Sequence, residues 1–106
     1  MKNYKLVVFV PVAYGDRVRQ AMGEAGAGII GNYSHCSFTV RGIGRFRPEP
    51  GANPAIGEIG RLEAVEEERI ETVCPAASLK AVLAAIRAAH PYEEPAMDVY
   101  PLEEIA

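Results

Sequence analysis

The chain has 106 residues, 49% apolar and 24% charged, which suits one globular domain built on one core and excludes a disordered chain. Eleven basic residues against fourteen acidic ones leave a net charge of −3, whereas a nucleic-acid binder needs a basic surface for its phosphate contacts. No apolar run approaches the roughly 18 residues of a membrane helix, so neither a nucleic acid nor a membrane is an expected partner.

Lys2 and Lys5 ahead of an apolar stretch over 6–10 give a faint echo of a signal peptide. The stretch is short and β-branched, Pro11 and Asp16 interrupt it, and its two-sided apolarity predicts a central strand over 5–10. Asp16 is the expected N-cap of a helix whose buried stripe is Val18, Ala21, Met22 and Ala25, and Gly26 and Gly28 stop it. A second strand is expected from Tyr33. Its apolar positions Cys36, Phe38 and Val40 alternate with a polar face of Tyr33, His35, Ser37, Thr39 and Arg41. Residues 42–57, rich in Gly and Pro, read as a long functional or interface loop.

Strand character returns over 62–75, with a slip in alternation near Val65–Glu68 that predicts a bulge or a hairpin corner. The acids Glu63, Glu66, Glu67, Glu68 and Glu71 on this strand suit an exposed edge protected against stray pairing. Ser78 is positioned to cap a second helix with the stripe Leu79, Val82, Leu83, Ile86 and Ala89. His90 ends it before Pro91, and a short strand follows over 97–102. The order strand, helix, strand, strand, helix, strand predicts an α+β domain: a ferredoxin-like βαββαβ sandwich with both helices on one face of an antiparallel sheet. The hydrophilic face bearing Tyr33, His35 and Ser37 would then be open to solvent or to another subunit.

Chemistry concentrates in His90-Pro91-Tyr92-Glu93-Glu94-Pro95. An imidazole at a helix C-terminus, where the dipole favours its protonated form, is followed by a phenol and two carboxylates on a stretch stiffened by proline. The segment reads either as a polar or metal-binding corner or as a rigid turn with His90 bonded to terminal carbonyls. His35 and His90, with Glu67 or Glu71, could supply N and O ligands to a divalent metal only where folding or assembly brings them together. Gly42-Ile43-Gly44-Arg45-Phe46 lacks the Lys-Ser/Thr pair of a phosphate loop and precedes no helix, although Arg41, Arg45 and Arg47 could attract an anion. No nucleophile elbow or catalytic-cysteine signature is present, which points away from an enzyme working alone. Cys36 and Cys74 form neither a disulfide framework nor a metal knuckle, and the expectation is a cytoplasmic chain with two buried thiols.

Several motifs occur in the same order as in one known family. They are Ala25-Gly26-Ala27-Gly28, Ile30-Gly31-Asn32-Tyr33, Cys36-Ser37-Phe38, Gly42-x-Gly44-x-Phe46-x-Pro48, Gly51-Ala52-Asn53-Pro54-x-x-Gly57, Glu67-x-Arg69-Ile70-Glu71 and the closing His-Pro-Tyr-Glu-Glu-Pro. Over nearly its whole length the chain resembles the domain inserted in NIF-three-like (YqfO-type) proteins, here as a free-standing unit, and that domain is similar to PII and CutA proteins. The resemblance implies a PII/CutA-like, non-catalytic regulatory or sensing module. Such a module would form a homo-oligomer and bind a small ligand or a divalent metal ion at subunit clefts. Expected contributors are Tyr33, His35, Glu71, His90, Tyr92 and Glu93, with His35 and His90 as metal ligands. The alternatives are an interaction protein docking on a separately encoded NIF-three-like metalloprotein, and a metal-dependent hydrolase, whose ligand-bearing lobes this chain lacks.

Overall fold

A computed structural model describes residues 2–105. The Val-rich segment forms strand β1 (Asn3–Pro11), an inner strand in a four-stranded antiparallel sheet of order β2-β3-β1-β4. Leu6, Val7, Val8 and Val10 have no exposed surface, so both faces of this strand are covered, as its composition requires. A single 3-10 turn leads into α1 (Gly15–Glu24), and another, over Ala76–Ser78, leads into α2 (Leu79–Ala89). Val18 and Met22 of α1 and Val82, Ile86 and Ala89 of α2 close on Leu6, Val8, Val10, Ile70 and Cys74 of the sheet. Ala21, Ala25, Leu79 and Leu83 complete the two stripes as partly buried neighbours. Each fully buried aliphatic side chain in this layer contributes about 1.5–3 kcal/mol.

The caps differ from expectation. Tyr14, not Asp16, precedes α1; Asp16 sits in the first turn, where the helix dipole favours a carboxylate, and pairs with Arg19 at 2.7 Å. Ser78 occupies the N-cap of α2 without a side-chain hydrogen bond. Beyond α1 the backbone is held tightly: the Gly28 N–H donates to the Val73 carbonyl at 2.7 Å, and the Gly28 carbonyl accepts from the Cys36 N–H at 2.9 Å.

Strand β2 (Phe38–Phe46) starts later and runs further than its alternation suggests. Residues 30–33 instead form a tight turn, with Ile30 and Tyr33 exchanging backbone hydrogen bonds. The predicted loop therefore begins at Arg47, because Gly42 and Gly44 pair in register with Glu67 and Val65 of β3. The faces of β2 are also reversed. The Thr39 hydroxyl accepts from the Arg19 guanidinium on the helix side, while Phe38 and Val40 stand at least half exposed on the open side. The open face is thus partly apolar, not the hydrophilic face carrying Tyr33, His35 and Ser37.

Strand β3 (Glu63–Pro75) is an inner strand, so its acids guard no edge; the edges are β2 and β4 (Met97–Pro101). Its register against β1 and β2 is unbroken, with Pro11 and Gly42 both opposite Glu67, and there is no bulge. The slip in alternation arises because Glu67 and Glu68 are buried on opposite faces. Glu68 lies under the helices, 2.7 Å from Arg19, with Arg41 at 3.8 Å. Glu67 faces the open side.

Gly28 and Gly31 both have left-handed backbones, φ 80° and 56°, but only Gly28 lacks room for a side chain: a Cβ would lie 2.6 Å from the Cys36 backbone N and O. Gly31→Ala should cost about 1 kcal/mol from strain alone, and Gly28→Ala about 3 kcal/mol or more, measured by urea unfolding. Equal losses would contradict this packing.

Candidate functional site: a cleft on the open face of the sheet

The segment that follows β2 crosses back over the open face before β3 begins. Its prolines limit its freedom, and backbone hydrogen bonds from Gly60 to Pro48 (2.7 Å) and Ala52 to Glu49 (3.0 Å) fold it on itself. The Asn53 N–H donates to the Glu93 carboxylate at 2.8 Å, tying this loop to the turn after α2. Between loop, turn and sheet lies a cleft of about 400 Å³. Phe9, Gly44 and Glu67 line it from the sheet, together with Arg45 and Phe46 at the end of β2. Pro48, Ala52, Pro54, Ala55 and Ile56 come from the loop, and Tyr92, Glu93, Glu94 and Ala96 from the turn.

The turn is organised by His90. Its backbone ends α2 in an extended conformation, as Pro91 demands, and its N–H still donates to the Ile86 carbonyl. The ring is buried. Its Nε2 lies 2.7 Å from the Phe9 carbonyl, which can only accept, and its Nδ1 lies 3.1 Å from the Tyr92 N–H, which can only donate. The two partners together require the neutral tautomer with hydrogen on Nε2. Burial lowers the His90 pKa below its ordinary 6.5, outweighing the opposing pull of the Phe9 carbonyl and the Glu67 charge. The ring is therefore neutral rather than the cation expected from the helix dipole.

Tyr92 is placed by this bond and by its ring contacts, with Phe46 at 5.7 Å and His90 at 5.1 Å between centroids. Its hydroxyl is buried against the Glu67 carboxylate. Burial, reinforced by the adjacent Glu67 charge, pushes its pKa up to about 12. Gly44 leaves room beside the Glu67 carboxylate, since any Cβ there would collide with it.

The residues anticipated from sequence divide into separate groups. Tyr92 and Glu93 line the cleft, and His90 supports it from behind. Glu71 lies elsewhere on the open face, paired with Arg69 at 2.7 Å and opposite Val7 and Phe38. Tyr33 is exposed in the tight turn. His35 has a left-handed backbone, φ 60°, and its ring packs over Gly23 near the C-terminal end of α1, with Nδ1 2.9 Å from the Ser34 hydroxyl. It thus lies at the opposite end of the sheet from His90. Among the described residues no three His, Cys, Asp or Glu side chains cluster to hold a metal ion, and both His90 ring nitrogens already have partners. Cys36 and Cys74 are free thiols, the first half-buried and the second buried. No described helix is long and apolar enough to cross a membrane.

Phe9, Phe46 and Ile56 are site residues that the sequence pattern does not single out, and Glu67 reads there as an edge-guarding acid or a metal ligand, not as part of a cleft. The available signal was the alternate spacing of Gly42, Gly44 and Phe46, which is a strand period.

No family model matches the chain. It is 58% identical over 99 residues to the GTP cyclohydrolase 1 type 2 homolog of Halalkalibacterium halodurans, covering 93% of this chain and 27% of the relative. The protein of that name in Bacillus subtilis is 56% identical over 100 residues, covering 94% and 27%. The chain therefore spans about a quarter of the length of the curated relatives it matches. Among solved structures, a Bacillus cereus protein related to NIF3 superposes with a TM-score of 0.84 at 52% identity, covering 97% of this chain and 26% of that one. The divalent cation tolerance protein CutA1 of Thermus thermophilus gives 0.71 at 16% identity, covering 98% and 87%, a likeness of fold alone.

Because folding buries His90 neutral while the unfolded chain takes up a proton near 6.5, stability should fall as pH drops below about 6.5 and be fully present above it. Urea unfolding from pH 5 to 8 should show this loss, and His90→Gln should flatten it; an unchanged pH profile in the variant would contradict the assignment. In sequence and fold, the chain matches a domain of about a quarter of the length of the NIF3-related protein and of the GTP cyclohydrolase 1 type 2 homologs, with the fold of CutA1.

Proposed function

We propose that this chain is a non-catalytic regulatory or sensing module that binds a small ligand in the cleft beneath the loop and assembles with copies of itself through the open face of the sheet. The cleft carries the first part of this reading. Its volume of about 400 Å³ and mainly apolar lining with a few convergent polar groups suit a small molecule. The rigid, proline-bearing loop and the Asn53–Glu93 bond support a pocket formed in advance of binding. The exposed apolar side chains of Phe38, Val40 and Tyr100 support the second part. A divalent metal ion belongs to the same reading as a ligand shared between subunits. The name GTP cyclohydrolase 1 type 2 homolog belongs to much longer relatives, and an activity of that kind is proposed only for whole proteins of which this fold is a part.

A second reading has its own observation. Ile29, Ile30, Leu102 and Ile105 surround a shallow apolar groove at the other end of the sheet, a surface suited to docking on a separate NIF3-related metalloprotein.

A fragment screen on isotope-labelled protein tests the leading reading. Binding fragments should saturably shift the backbone resonances of Phe9, Phe46, Tyr92 and loop residues 48–56, and light scattering should give a mass above the 11.4 kDa of one chain. Fragments that leave the cleft resonances unmoved would contradict the ligand site, and a strict monomer would contradict the assembly.

A further inference from the structure

Resting on the reading of the cleft as a ligand site, we infer that its ligand class is a small planar organic cation carrying more than one N–H, such as an amidinium or guanidinium group on an apolar body, with Glu67 as its counter-charge. The two adjacent carboxylates of β3 supply the contrast. Glu68 is buried and has two guanidinium partners, Arg19 and Arg41. Glu67 is only 9% exposed, lines the cleft and makes no ion pair among the described residues. A carboxylate in an apolar wall without a cation is costly, and a bound cation removes that cost.

Three further observations point the same way. The Tyr92 hydroxyl is buried beside the Glu67 carboxylate, its one nearby acceptor, so its own oxygen is a second acceptor for a ligand N–H. Phe9 and Phe46 offer aromatic surface, and the Phe9 ring already accepts one cation, the Arg69 guanidinium 5.7 Å from its centroid. Around the cleft, Glu67, Glu93 and Glu94 outnumber Arg45, so the local charge disfavours an anion. The anion site suggested by the arginines near Gly42 is therefore not what the cleft offers.

Benzamidinium, neutral benzamide and anionic benzoate form a test series of nearly equal shape, titrated near neutral pH and followed by resonance shifts in the cleft. Benzamidinium should bind at least about tenfold more tightly than either isostere. Glu67→Gln should remove that advantage, and Tyr92→Phe, which deletes only the hydroxyl, should weaken benzamidinium several-fold while leaving the fold intact. Benzamide or benzoate binding in the cleft as tightly as benzamidinium would overturn the ligand class while leaving the cleft a ligand site; so would undiminished binding to a folded Glu67→Gln variant. Should that variant not fold, the isostere series on the unaltered chain still decides. If all three probes leave the cleft unmoved, the inference falls, and fragments of other chemistry then show whether the cleft reading survives.

Discussion

Two carboxylates side by side on an inner strand, buried on opposite faces of the sheet, make the constraint around which this domain is organised. Side chains alternate across a strand, so Glu67 and Glu68 must point to opposite sides of the sheet. Under the helices, Arg19 reaches Glu68 and also bonds Asp16 and Thr39, so that one guanidinium links α1, β2 and β3. On the other side Glu67 has a glycine opposite, aromatic rings, a tyrosine hydroxyl and a covering loop, but no ion pair among the described residues. One face is electrostatically closed and the other is not. A buried charge is tolerated when partnered and otherwise marks a place where something else completes the site.

His90 links this constraint to the rest of the fold. Its two ring nitrogens join the end of α2 to the backbone of β1 and to the turn that delivers Tyr92 and Glu93. Glu93 in turn holds Asn53 of the covering loop. The His-Pro-Tyr-Glu segment thus acts as a structural clamp, in which only the tyrosine and the acids face the cleft while the histidine is spent on holding them. A histidine with one donor and one acceptor bond to backbone is a poor candidate for metal coordination, because ligation would require breaking one of the bonds that shape the turn.

Much of the fold was legible because its strongest signals are local. The two-sided Val run of β1 and the helical stripes of Val18–Met22 and Val82–Ile86 identify their elements by period alone, and the element order then leaves few topologies. The failures share a different cause. Gly42 and Gly44 read as loop because glycine weakens a strand, yet both pair in β2, and Gly44 makes space for Glu67 from the neighbouring strand, a reason visible only with the register known. The faces of β2 were inverted because alternation cannot say which side meets the helices; the Arg19–Thr39 contact decides it. The apparent bulge near Glu67 was two-sided burial. Of the anticipated site, the turn residues Tyr92 and Glu93 converge, while Tyr33 and His35 lie at the far end, because 33–37 precede the strand on which they were placed. The fold is shared with CutA1 at 16% identity, which fits a core specified by apolar period rather than by particular residues.

The central claim, that Glu67 is a buried counter-charge awaiting a cation in a preformed cleft, is tested most directly by a crystal structure of the protein with benzamidine bound. The account predicts the ligand ring against Phe9 and Phe46, with an amidinium nitrogen in hydrogen-bond contact with the Glu67 carboxylate. A structure in which Arg45 turns inward to pair with Glu67, leaving the ligand bound elsewhere or not at all, would contradict it.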